Sequence, residues 1–125
     1  VALPPYPEFD EVMRALLDDL APVVTWVDDK TPIPHIFVTR VGGREDGMID
    51  NPIIDTEYVA ETRAASKDLK TAGQERIRNA GNTAPGGFLI DVAEEVTGGQ
   101  YIPPFQRQAR GVTATNRLSY RRPRD

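Results

Sequence analysis

The 125-residue sequence predicts an α+β domain: a mainly antiparallel sheet of four to five strands with two helices packed on one face. Three observations lead there. Residues 9–20 set apolar side chains at helical spacing, residues 35–41 and 53–62 alternate with the period of two expected of a half-wetted strand, and a further alternating run closes the chain over 110–120. No internal repeat or linker interrupts this order, so residues 1–125 read as a single domain with an extended arm over 1–7 and an Arg-rich tail over 121–125.

The arm contains Leu3-Pro-Pro-Tyr-Pro, too rich in proline for a helix. Phe9, Val12, Met13, Leu16, Leu17 and Leu20 then form one stripe of an amphipathic helix, with acids in its first turn and Pro22 as its stop. Val23 to Val27 predicts a short strand containing the single Trp, and 28–32 a turn. In the next strand Ile36, Val38 and Arg40 alternate with Phe37, Thr39 and Val41; Gly42 to Asp50 reads as a loop. Beyond it Ile54, Thr56, Tyr58 and Ala60 share one face while Asp55, Glu57 and Glu61 share the other, so the pair makes a hairpin with one wet face.

Thr62 is placed to cap a second helix over about 63–79, whose buried stripe of Ala65, Leu69, Ala72 or Gly73, and Ile77 is narrow and small. A Gly- and Pro-rich breaker follows. Phe88 to Val96 predicts a strand with Phe88, Ile90 and Val92 inward, 98–105 a protruding loop, and 110–120 a last strand with Val112, Ala114, Leu118 and Tyr120 on one face.

The charge is uneven. Residues 1–61 carry 13 acids and 4 bases, whereas 107–125 carry six Arg and one Asp. Either the two ends fold together within one subunit, or the basic end of one copy meets the acidic surface of the next in head-to-tail packing.

Several chemistries lack their parts. Without Cys there is neither a disulfide nor a thiolate metal site, and the single His cannot supply a usual zinc site. His35 beside Pro34 reads as a packed or solvated residue, and neither Ser66 nor Ser119 sits in a nucleophile elbow. The acidic doublets lack calcium-loop spacing, and the Gly pairs are not followed by the Lys of a phosphate loop. The expectation is a protein that is not an enzyme and takes no cofactor or metal. No apolar run approaches the roughly 20 residues that cross a bilayer, and the start lacks a signal-peptide layout, so a soluble protein made in the cytoplasm is expected. The Arg-rich end could neutralise a nucleic-acid backbone, but the pI near 5.0 and the lack of a reading helix argue against sequence-specific binding.

Four stretches carry a resemblance: Ala2-Leu-Pro-Pro-Tyr-Pro-Glu-Phe leading straight into an acidic Leu-rich helix, Pro34-His-Ile-Phe-Val-Thr-Arg-Val-Gly-Gly, the strand ending Ala60-Glu-Thr-Arg that runs into an Ala-rich helix, and the closing strand from Arg110 to Tyr120. In layout, nearly end to end, the sequence resembles the tail terminator proteins of long-tailed bacteriophages, especially those of actinobacterial phages. Head–tail stoppers and other completion proteins are similarly small and acidic.

The resemblance implies a virion protein of the tail–head junction, assembled in the bacterial cytoplasm. Such a protein forms a homo-oligomeric ring, a hexamer in that family, which caps the major tail tube protein, ends tube growth and joins the head–tail connector, with DNA passing through its lumen. Contacts are then expected in three groups: Arg40, Arg44, Glu45, Asp46 and Met48 around the hairpin loop; Tyr101, Ile102 and Phe105 in the second loop; and Arg107, Arg110, Arg117, Arg121 and Arg122 at the basic end.

Overall fold

The computed structural model describes residues 8–45, 49–85, 90–102 and 109–121, with 45, 97–102 and 121 described by their backbone alone. In chain order the elements are α1 (Phe9–Leu17), β1 (Val23–Val24), β2 (His35–Glu45), β3 (Ile49–Ala60), α2 (Arg63–Arg78), β4 (Ile90–Ile102) and β5 (Arg110–Arg121). The five strands make one sheet in the order β1-β2-β3-β5-β4. Only the β1–β2 pair is parallel; every other pairing is antiparallel, and both helices lie on one face.

With nine residues, α1 is shorter than the ~12–15 that an isolated helix needs in water. It persists because Val12, Met13, Leu16 and Leu17 are buried, each worth roughly 1.5–3 kcal/mol. The expected stripe is therefore present, but the helix ends at Leu17, short of Pro22. The Leu20 N–H turns back to the Leu17 carbonyl at 2.9 Å, and the Asp18 carboxylate accepts the Val23 N–H at 3.1 Å. Two acids at the negative end of the helix also oppose its extension.

β1 is cut to two residues, leaving Trp26 outside the sheet and 71 % exposed. The Asp28 turn is as expected: Thr31 N–H donates to the Asp28 carbonyl and Lys30 N–H to its carboxylate. The hairpin is longer than its sequence suggests. Most of the expected loop over 42–50 is strand, since Gly42 pairs with Ile53 and Glu45 with Asp50. Gly43 makes this possible, for its φ is +89° and a Cβ there would run into the Asn51 carbonyl. A bulge at Val41, between Arg40 and Gly42, shifts the register.

β3 lies between β2 and β5 and alternates from Ile49 to Tyr58, with Ile54, Thr56, Tyr58 and Ala60 buried and Val59 buried as well at its end. β4 departs most from expectation. Residues 98–102 belong to the strand instead of a loop, and bulges interrupt its pairing between Ile90 and Val92, between Glu95 and Thr97, and between Thr97 and Gln100. The first bulge reverses the alternation, so Ile90 is buried but Val92 is half exposed. Phe88 lies outside the described residues. β5 turns Val112, Ala114, Leu118 and Tyr120 inward as expected.

The Thr62 hydroxyl caps α2 by accepting the Ala65 N–H at 3.1 Å. Its buried stripe is Ser66, Gly73, Gln74 and Ile77; Leu69 and Ala72 are half-buried and Ala65 is exposed. The shift has a polar cause. Gln74 accepts the Tyr58 hydroxyl at 2.8 Å and donates to Asn116 and Glu95, while the Asn116 amide donates back to Gln74 at 3.0 Å. This network seats the helix on β3, β4 and β5 with the amide groups of Gln74 and Asn116 satisfied.

Candidate interaction surfaces

The sheet places six of the expected contact residues at its two ends and keeps Arg40 and Arg117 within its strands. At one end the chain leaves β2 after Glu45, enters β3 at Ile49 and leaves β5 after Arg121, which pairs with Ile49. At the other end β4 finishes at Ile102 and β5 begins at Arg110, paired with Ala60. Eleven strand steps separate Arg110 from Arg121, a span of roughly 36 Å at about 3.3 Å per residue. Arg44, Glu45 and Arg121 thus belong to one end, and Tyr101, Ile102 and Arg110 to the other. Asp46, Met48, Phe105, Arg107 and Arg122 lie outside the described residues.

The arginines divide by local role. Arg40 points to the helix-covered face and grips Asp50 with two hydrogen bonds of 2.8 Å, while the Asp50 side chain is only 4 % exposed. It is therefore a structural residue of the hairpin before it is a contact. Arg44 is exposed and makes no ion pair among the described residues. Arg110 donates to the Ala109 carbonyl, and Arg117 reaches Glu94 on β4 at 3.3 Å. Arg14 pairs with Asp10 and Arg76 with Asp19.

The face opposite the helices is acidic and half-buried along β3, at Asp55 and Glu57. Asp55 accepts the Thr115 hydroxyl at 2.6 Å, and burial raises the Glu57 carboxyl above its usual range. On the other face, α1 and α2 bound an open cleft of about 510 Å³ lined by Leu16, Leu20, Ala72 and Ala80, with Arg76 on its rim holding Asp19 and the Leu16 carbonyl.

His35, the only chemically versatile side chain, is 1 % exposed, and its Nδ1 lies 2.9 Å from the Pro32 carbonyl. Burial lowers its pKa below the ordinary 6.5, partly offset by that carbonyl. The unfolded chain therefore takes up a proton near pH 6.5 while the folded one resists, so stability falls as pH drops from 6.5 through the lower folded value. Urea midpoints at pH 7.5 and 5.5 should differ more in the native protein than in His35→Asn, and equal differences would exclude His35 as the cause.

Four exposed hydrophobics went unnoticed as surface features in the sequence: Trp26, Val41, Val92 and Val96. Val92 and Val96 lie on edge strand β4, Val41 at the bulge of β2, and Trp26 just beyond edge strand β1. The only large apolar side chains open to water thus cluster, among the described residues, at the margins of the sheet. Alternation alone marks Val41 as outward, but Val92 and Val96 depend on bulges that no local pattern encodes.

No curated protein matches the chain. A family match does: the phage tail termination protein family fits residues 5–125, nearly the whole length. A tail-related structural role goes with that family, and the chain belongs to the family of phage tail termination proteins.

Proposed function

We propose that copies of this chain close into a ring, six by resemblance, that seats on the last layer of the major tail tube protein, stops tube growth and presents its far side to the head–tail connector. The observation carrying this reading is the separation of the contact candidates onto opposite ends of one sheet, roughly 36 Å apart. A tail-joining ring must grip a different partner on each side, and a rigid sheet holds two such ends at fixed distance. DNA would pass through the lumen without base recognition. On this reading the role is structural, and His35 serves the fold, its Nδ1 lying 2.9 Å from the Pro32 carbonyl.

The test is addition of the purified protein to polymerising tail tube subunits. Tubes should stop at the length reached on addition and carry an extra ring of density at one end in electron micrographs. The charge-reversed variant Arg44→Glu/Arg121→Glu/Arg122→Glu should lose this capping while keeping its circular dichroism. Tubes that elongate unchanged with the native protein would overturn the reading. Binding to isolated head connectors without tube capping would favour a stopper, and salt-sensitive binding of duplex DNA by a monomer would favour a nucleic-acid protein.

A further inference from the structure

Charge on α2 runs against the preferences of a helix. Acids are favoured near a helix N-terminus, and like charges four residues apart repel. α1 obeys, with Asp10 and Glu11 in its first turn. α2 does not: its first turn holds no acid and opens on Arg63, Lys67 follows Arg63 by four residues, and Lys70 follows Lys67 by three. At 3.6 residues per turn, Arg63, Lys67, Lys70 and Arg78 fall within about 80° of one another around the helix. They form one row, whose remaining member, Gln74, is the residue that turns inward. Asp68 and Glu75 fall outside it. Local preferences broken together in this way are expected at functional sites.

The row is open to a partner. Gln74 donates to Glu95 of β4 and to Asn116 of β5, so the row overlies the β4 side of the sheet, while Arg76 reaches Asp19 and the Leu16 carbonyl on the flank toward α1. Lys67 and Arg78 are exposed and Lys70 is half-buried. Arg14, Arg40, Arg76 and Arg117 each hold a carboxylate, but Lys67, Lys70 and Arg78 make no ion pair among the described residues. Glu95 lies beneath them with its carboxylate on Gln74 at 2.9 Å, one charge against three. From Lys67 to Arg78 the row runs roughly 16 Å along the helix.

We propose that this row rests on the phosphate backbone of duplex DNA, so that α2 is the element each subunit turns to the lumen. This rests on the ring reading and names the surface that meets the DNA. A phosphate backbone is recognised by charge alone, whatever its sequence. A protein partner needs apolar anchors inside a polar rim, and α2 carries none of the exposed large hydrophobics, which lie at Trp26, Val41, Val92 and Val96. Other described surfaces fit a polyanion poorly. β3 turns Asp55 and Glu57 to the face opposite the helices, and β4 carries Asp91, Glu94 and Glu95 without a base. The arginines of β5 are spread over its length, and Arg117 is held by Glu94.

Three phosphate contacts from one subunit give a salt slope of about −2.7, a loss of roughly 40-fold in affinity between about 50 and 200 mM salt. Tubes capped with the native protein are mixed with a labelled linear duplex, and its anisotropy is followed over that range with uncapped tubes as the blank. Native caps should bind with that slope or a steeper one. Lys67→Gln/Lys70→Gln/Arg78→Gln should flatten the slope by about 2.7 for each subunit in contact. It should still cap tubes and keep or raise its urea midpoint, because like charges are relieved. Lys30→Gln, which removes an exposed base on the 28–32 turn, should bind as the native protein does. Equal slopes for the native protein and the triple variant, or no binding by native caps, would overturn the DNA contact and leave the ring standing. A triple variant that no longer caps would also overturn it, by placing the row against the tube or a neighbouring subunit. Native protein that fails to cap tubes would overturn the ring and with it the lumen; duplex binding by the free protein, lost in the triple variant, would then uphold only the contact.

Discussion

Arg40→Ala is expected to lower the unfolding free energy by about 3 kcal/mol, the low end for breaking a buried ion pair. Asp50 keeps only 4 % of its side-chain surface in water, and the two 2.8 Å bonds from Arg40 compensate its charge. Removing the guanidinium strands that carboxylate beside Tyr120, whose phenol is itself held above its usual pKa by burial and by Asp50. The estimate stays low because Arg40 retains 33 % exposure, so water can partly replace it. Urea unfolding followed by circular dichroism measures the loss. Arg40→Met/Asp50→Leu should recover most of it, since an apolar pair removes the desolvated charge. A loss under 0.5 kcal/mol, the ordinary scatter of surface changes, would show that Asp50 is solvated from another side. Arg44→Ala should be nearly neutral in the same assay, which separates the arginine that holds the hairpin from the one available to a neighbour.

Gly73→Ala should also destabilise, against the usual sign. In an exposed helix interior this change gains about 1 kcal/mol. Here the added methyl would run into Cε1 of the Tyr58 ring and lie 2.7 Å from its hydroxyl oxygen and 2.8 Å from Cζ, closer than side-chain carbons tolerate. Tyr58 is fully buried and tied by its hydroxyl to Gln74, so it cannot swing aside without stranding polar groups. Overpacking costs about 1–3 kcal/mol, and each buried polar group left unpaired about 1–3 more; a net loss of roughly 2–4 kcal/mol follows. Adding Tyr58→Leu should cost less than the two single changes summed, because both act at one contact. A raised urea midpoint for Gly73→Ala would mean that α2 does not approach β3 as described.

How far the fold was legible tracks how local its causes are. The α1 stripe, the alternation of β3, the Thr62 cap and the inward face of β5 all follow from spacing along a few residues, and each is where the sequence puts it. The errors lie where a distant partner decides. Gln74 is buried because Tyr58 and Asn116, 16 and 42 residues away, complete its hydrogen bonds. Gly42-Gly43 and Gly98-Gly99 look like turns, yet both pairs lie in strands whose partners lie elsewhere in the chain. For the contact surface, Arg44, Arg110 and Arg117 were legible as charges, whereas the structural duty of Arg40 depended on Asp50 being folded under it.

The sequence by itself determined that the chain is α+β with an acidic first half and a basic end, because composition and short-range periodicity are properties of the string. Only the tertiary structure decided which strands lie at the margins of the sheet, which bulges turn valines to water and how far apart the two ends of β5 are held. Strand order and register are set by pairings between residues tens of positions apart, and no local pattern contains them.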